Sequence, residues 1–227
     1  MKNIVILISG GGSNMRALVE YVIKQKWEEQ GRARVAAVIS NNPDAAGLVF
    51  AGECGITTDV VNHRDYSSRA AFEAALSTKI DEFMPDVILL AGFMRILTAG
   101  FTHHYERRMF NVHPSILPLF KGLHTHALAI ESGVKLHGAT IHGVTAELDH
   151  GPIVMQSCVP VFSDDSVDRL AARVLKTEHV IYPQVLDWWV NDRLIWDETG
   201  IKVLPNSDGQ AATQVLMMNE ENSNERY

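Results

Sequence analysis

Short apolar runs alternate along the chain with stretches in which apolar positions recur every three or four residues, the pattern of a parallel α/β sheet. Residues 4–8 are continuously apolar and predict a strand buried on both faces. Ser9 and three glycines follow, and then Met15, Leu18, Val19, Val22 and Ile23 fall on one face of a predicted helix. Residues 35–40 predict a second strand, residues 45–54 a short helix after the turn Asn41-Asn42-Pro43-Asp44, and residues 58–61 a third strand. From about Ser67 a helix aligns Phe72, Leu76, Ile80 and Phe83 until Pro85 stops it. Residues 86–91 are as apolar as the first strand. Four strands joined by three crossovers predict a doubly wound, Rossmann-like half over residues 1–95.

Beyond that half the sheet reads as mixed but mostly parallel. Residues 109–112, 139–144 and 153–161 predict strands, the last after the turn Asp149-His150-Gly151-Pro152. A long helix from about Ser166 is expected to turn Val167, Leu170, Val174, Ile181 and Val185 inward. With no linker visible, residues 1–204 are expected to form one α/β domain with halves 1–95 and 96–204. Residues 205–227 are polar apart from a patch at 215–218 and predict a flexible tail.

Composition narrows the class. The chain has 227 residues, 46% hydrophobic and 21% charged, which excludes a disordered or fibrous protein. A formal charge of −7 leaves no general electrostatic case for nucleic-acid binding. No apolar run approaches the roughly 20 residues of a membrane span, and the run at 4–8 is too short for the core of a signal peptide. The two cysteines, Cys54 and Cys158, have no metal or disulfide spacing. A cytoplasmic protein is expected.

Ser9-Gly10-Gly11-Gly12-Ser13-Asn14 lies between a buried strand and an amphipathic helix, where backbone N–H groups and the helix N-terminus can hold an anion. The same turn also serves as a plain tight corner with Ser13 or Asn14 as its cap. A dinucleotide is disfavoured, because no third glycine stands near Met15 and no acidic residue ends the second strand. The Gly-Lys-Ser/Thr of a triphosphate loop is also missing. A small phosphorylated ligand, such as a sugar phosphate, fits.

Eight of the ten histidines lie between His103 and His150, yet no HExxH and no nearby cysteine gives them a metal-ligand spacing, so no metal is expected. His113 stands apart. It directly follows a strand, where ligands of open α/β sheets bind, and Asn111 two residues earlier projects to the same side. An amide donor can hold a developing oxyanion, and an imidazole can move a proton near neutral pH. Asp149 is a candidate to orient that imidazole, or equally a turn residue before Gly151-Pro152.

Phe93-Met94-Arg95-Ile96-Leu97, Asn111-Val112-His113-Pro114-Ser115-Ile116-Leu117-Pro118, Gly122-Leu123-His124-Thr125-His126 and Glu147-Leu148-Asp149 together resemble the glycinamide ribonucleotide formyltransferase family, in its bacterial single-function form. With the glycine loop and Thr177-Glu178-His179, the resemblance covers residues 1 to about 200. It implies the formyltransferase fold, a sugar-phosphate-binding first half, and a catalytic, folate-binding second half. It implies transfer of a formyl group from 10-formyltetrahydrofolate, the co-substrate, to a ribonucleotide amine in purine biosynthesis, without a metal. Asn111 is then the oxyanion stabiliser and His113 the general acid. Asp149 orients His113 and, as a carboxylate beside an imidazole, favours its charged form and raises its pKa.

The same resemblance assigns Gly12, Ser13, Asn14, Leu175, Lys176, Thr177 and Glu178 to the ribonucleotide. It assigns Arg69, Met94, Arg95, Ile96, Leu97, Asn111, Thr145, Ala146, Glu147, Leu148 and Asp149 to the folate. Expected partners are these small molecules, with neither nucleic acid nor membrane, on a monomer or homodimer. Two positions depart from the family pattern: Gly11 stands where Asn is common, and His150 where Gly is frequent. A formyltetrahydrofolate deformylase would carry an N-terminal regulatory domain and His in place of Pro114. A methionyl-tRNA formyltransferase would carry a C-terminal RNA-binding domain and lack Gly-Leu-His-Thr-His. A non-catalytic sugar-phosphate sensor would keep the glycine loop without needing Asn111, His113 and Asp149.

Overall fold

The computed structural model describes residues 1–198, 200–206 and 209–218. They form two compact units, one of Met1–Asn111 with Val144–Glu147, the other of Val112–Gly143 with the described residues from Leu148 onward.

The first unit alternates strand and helix as the hydrophobic pattern predicts. Its elements are β1 (Lys2–Ile8), α1 (Ser13–Lys24), β2 (Ala33–Ser40), α2 (Gly47–Glu53), β3 (Thr58–Val60), α3 (Arg69–Asp81), β4 (Val87–Leu90), α4 (Ala99–His104) and β5 (Met109–His113), whose last two residues belong to the second unit. The strands lie in the order β3-β2-β1-β4-β5, all parallel. Because β1 is central and its neighbours run outward in both directions, its carboxyl end is a topological switch point. Val5, Leu7, Ile39, Phe72, Leu76, Ile80, Ile88, Leu90, Phe101, Tyr105 and Met109 share one buried cluster. Ser68 caps α3 by accepting from the Ala71 N–H at 3.2 Å.

Helix α1 buries Met15, Leu18, Val19 and Val22, but Ile23 is exposed, against the expectation. At 100° per residue, Ile23 lies about a quarter turn from the centre of the stripe that the other four define. Helix α4 was not legible in the pattern, since Ala-Gly-Phe-Thr-His-His shows no full apolar period. Its Phe101, with Tyr105 and Met109 beyond, packs into the first unit's core. The division between units accordingly falls after Asn111 rather than near residue 95.

The second unit contains α5 (Thr125–Glu131), β6 (Leu136–Gly143), β7 (Ile153–Pro160), α6 (Val167–Val190), β8 (Leu194–Asp197), β9 (Gly200–Val203) and β10 (Val215–Met217). β6 and β7 are antiparallel, and β8 and β9 make a separate antiparallel pair. Helix α6, capped by Ser166, packs on β6 and β7 through Leu170, Val174, Ile181 and Val185, all buried. Val167 is exposed instead, because it opens the helix's first turn. The Trp196 ring lies 2.3 Å from where a Cβ on Gly143 would stand, so only glycine fits the end of β6.

The expectation of a flexible tail from residue 205 is corrected at 215–217. These residues pair in parallel with β7, Val215 opposite Gln156 and Met217 opposite Cys158. Gln156 N donates to Gln214 O at 3.0 Å, and the Gln214 amide donates to Val154 O at 2.8 Å. A strand edge with unmet backbone groups is enough to recruit a short apolar patch. Of the rest of the expected tail, residues 207–208 and 219–227 lie outside the described residues.

Candidate active site

In the first unit, the carboxyl ends of β1, β2 and β4 carry the polar loops. Gly12 forms the cap of α1 at φ +72°, a left-handed conformation that suits glycine; before it, Gly11 is exposed and the Gly10 carbonyl accepts from the Gly47 N–H at 3.1 Å. A Cβ on Gly12 would come within 3.0 Å of Gly47 Cα, so the turn is also held by close backbone packing on the start of α2. Ser13 is exposed, whereas Asn14 is buried in the first turn of α1. Ser9 joins the neighbouring loops: its Oγ donates to Asn41 Oδ1 at 2.5 Å and accepts from the Met94 N–H at 2.7 Å.

The segment after β4 exposes Met94 and Ile96 and buries Leu97, with Arg95 between. It is anchored at its far end by Glu73, a buried carboxylate that accepts from the Thr98 N–H at 2.9 Å and from the Thr98 hydroxyl. Asn111 sits beside this end of the sheet, in register with Leu90. Arg69, the first residue of α3, is exposed, as are Thr145, Ala146 and Glu147.

In the second unit, His113 and Asp149 come together. Nδ1 of His113 lies 3.4 Å from Asp149 Oδ2, with each side chain under a tenth exposed. Nε2 of His113 donates to the Phe120 carbonyl at 2.9 Å. That ring therefore faces an acceptor on each side. Asp149 in turn accepts from the Gly122 N–H at 2.9 Å through Oδ2, and adopts φ +49°, a conformation rare for a side-chain-bearing residue. A second imidazole, His142, stands with Nε2 3.8 Å from Asp149 Oδ1. Its Nδ1–H donates to the Gly143 carbonyl at 2.8 Å, and burial pushes its pKa down.

Two further histidines pair nearby. His126 Nδ1 lies 3.1 Å from His137 Nε2, and the Pro114 carbonyl accepts from the His137 ring. Burial is the main cause that pushes His137 down to about 4, and it lowers His126 as well. Within α6, Thr177 is fully buried, its hydroxyl 2.6 Å from Ser157 Oγ and donating to Val174 O. Glu178 is also buried, Leu175 is half-buried and Lys176 is exposed. Leu148 is exposed beside Asp149. Among the described residues, no three His, Cys, Asp or Glu side chains are grouped to hold a metal ion, and no helix is long and apolar enough to cross a membrane.

The structure thus unites His113 with Asp149 and joins the Met94 segment to Ser9. The sequence pattern gave no special place to His142, the Phe120 carbonyl or the Gly122 N–H. His142 was one histidine among eight, and main-chain partners leave no mark in side-chain identity.

The chain belongs to the formyl transferase family, whose pattern matches residues 2–186, and with it to the group-transfer enzymes of the α/β class. The particular branch is that of the phosphoribosylglycinamide formyltransferases. The chain is 47% identical over 192 residues to the phosphoribosylglycinamide formyltransferase of Escherichia coli K12, covering 85% of this chain and 89% of that protein. It is 39% identical over 194 residues to that of Haemophilus influenzae, covering 86% and 90%. The crystal structure of phosphoribosylglycinamide formyltransferase from Anaplasma phagocytophilum matches 95% of this chain and 97% of its own with a TM-score of 0.85 at 36% identity.

Proposed function

We propose that the chain transfers the formyl group of 10-formyltetrahydrofolate to the amine of glycinamide ribonucleotide, giving formylglycinamide ribonucleotide and tetrahydrofolate for cytoplasmic purine synthesis. The observation that carries this reading is the buried His113–Asp149 pair, two residues after Asn111 on β5, in a chain of this family. The amine nitrogen attacks the formyl carbon, and the carbonyl oxygen becomes an oxyanion. The Asn111 side-chain amide donates to that oxygen, which carries full charge only after attack. Collapse breaks the bond to the folate nitrogen, which must leave with a proton.

His113 supplies that proton and takes in turn the one that the attacking amine gives up, so the ring ends in the protonation state in which it began. The Asp149 carboxylate faces Nδ1 and supports the charged ring, while Nε2–H is held on the Phe120 carbonyl until the substrates assemble. Catalytic hydrogen bonds commonly tighten only in the loaded complex. Gly12, Ser13 and Asn14 cradle the substrate phosphate, and residues 175–178, above all Glu178, take its polar end. Arg69, Met94–Leu97 and Thr145–Asp149 line the folate pocket, exposed Met94, Ile96 and Leu148 offering apolar surface to the ring system. The test is tetrahydrofolate release followed by absorbance, with and without glycinamide ribonucleotide. Release that depends on the ribonucleotide is expected; equal release with water alone would instead make the chain a deformylase.

A further inference from the structure

We infer that Lys121 and His150 form a clasp that positions Asp149, an inference that rests on the catalytic reading above. Nζ of Lys121 lies 2.9 Å from Nδ1 of His150. An ammonium can only donate, so Nδ1 accepts and the neutral ring keeps its proton on Nε2. Each partner is one residue from the bond that holds the catalytic carboxylate. Lys121 precedes Gly122, whose N–H donates to Asp149 Oδ2 at 2.9 Å, and His150 follows Asp149. Two parallel links therefore join the same two loops, one through the backbone and one through side chains.

The backbone on both sides needs such support. Asp149, Phe120 and Gly122 all have positive φ, at +49°, +54° and +80°. Two of these bear side chains that disfavour the left-handed region. The same loop that the clasp grips presents the Phe120 carbonyl to His113 Nε2, while Asp149 faces Nδ1. Both acceptors of the His113 ring are thus carried by the segments that Lys121 and His150 tie together. Lys121 and His150 are exposed, where a link of this kind adds little to global stability. Its effect falls on where the carboxylate stands. The departure of His150 from the family pattern thereby acquires a partner and a task.

The test uses the full chain and the variants Lys121→Met, His150→Ala, His150→Gln and the Lys121→Met/His150→Ala double. Each single loss is expected to lower kcat about threefold to tenfold, within the usual range for coupled residues, while KM for the ribonucleotide stays unchanged. The double variant should be no worse than the weaker single. His150→Gln should retain most of the rate, because its amide oxygen still accepts from the ammonium. Amide exchange at Gly122 should quicken alike in Lys121→Met and His150→Ala, a readout that needs no turnover. Additive losses, a His150→Gln variant as slow as His150→Ala, or unchanged Gly122 exchange would overturn the clasp. If the parent chain transfers no formyl group to the ribonucleotide, the catalytic reading fails, and Gly122 exchange alone then decides whether the clasp exists.

Discussion

His113 and Asp149 meet as a buried imidazole and carboxylate, Nδ1 to Oδ2 at 3.4 Å, with the far side of the imidazole occupied by the Phe120 carbonyl. The ring thus has an acceptor on each side, and its Nε2–H is held by the Phe120 carbonyl. His113→Ala should lower kcat by roughly 10²–10⁴-fold, the range for a general acid–base. Asn111→Ala should cost about 10²–10³-fold, the scale for one oxyanion donor. Asp149→Asn keeps an oxygen for the Gly122 N–H but removes the charge facing Nδ1, so kcat should fall with little loss of stability. The groups act as a unit, so the Asn111→Ala/His113→Ala double should fall well short of the product of its singles. Steady-state kinetics with thermal melts on the four variants decide it, and a normal kcat in His113→Ala would remove the ring from the chemistry.

The glycine loop makes a separate prediction. A side chain at Gly12 meets both a left-handed φ and the backbone of Gly47. Gly12→Val should lower stability and raise KM for the ribonucleotide far more than KM for the folate. Equal rises in both constants would show that the damage is to the fold and not to a phosphate site.

Acid should weaken the second unit through the His126–His137 pair. In the folded chain His137 is held near 4, against an ordinary value of 6.5. Above about pH 6.5 both folded and unfolded rings are neutral and stability is unaffected. As pH falls from 6.5 towards 4, only the unfolded ring takes up a proton, and stability drops by roughly 2–3 kcal/mol. His126, also depressed by burial, adds in the same direction. Denaturant unfolding across that window should show the loss in the parent and a flatter profile in His137→Gln.

Glu73 should matter more than an ordinary helix carboxylate. It is buried and accepts both the backbone N–H and the hydroxyl of Thr98. Glu73→Ala leaves the half-buried Thr98 N–H and hydroxyl without that acceptor, at a cost of about 1 kcal/mol. Glu73→Gln, with one oxygen left, should lose less. Because Thr98 also opens α4 directly after the Met94–Leu97 segment, folate KM should rise together with the fall in melting temperature.

Much of this molecule was legible where one physical signal dominates. Continuous apolar runs marked β1 and β4, and the strand–glycine–helix order marked the loop after β1, because burial on both faces and a sharp turn each demand particular residue types. Asn111 and His113 could be set on one side of a strand from spacing alone. Asp149 could not be set beside His113 that way. Their 3.4 Å approach joins residues far apart in sequence; residue chemistry left Asp149 either a partner of the imidazole or a turn residue, and the family resemblance chose between them. Short elements were also hidden: α4 and α5 lack a full amphipathic period, and β10 is three residues that become a strand only because β7 offers an edge. The partners of buried Thr177, whose hydroxyl bonds to Ser157 and Val174, were likewise invisible in the sequence.

Ser9 places a single oxygen where two loops meet, holding Asn41 on one side and the backbone of Met94 on the other. The glycine turn and the Met94 segment cannot part without breaking that link. A ligand that quiets one of them has already quieted the other, and the second to arrive gives up less freedom than it would alone. The expected outcome for the two proposed substrates is synergy, read as a lower Kd for each when its companion is bound.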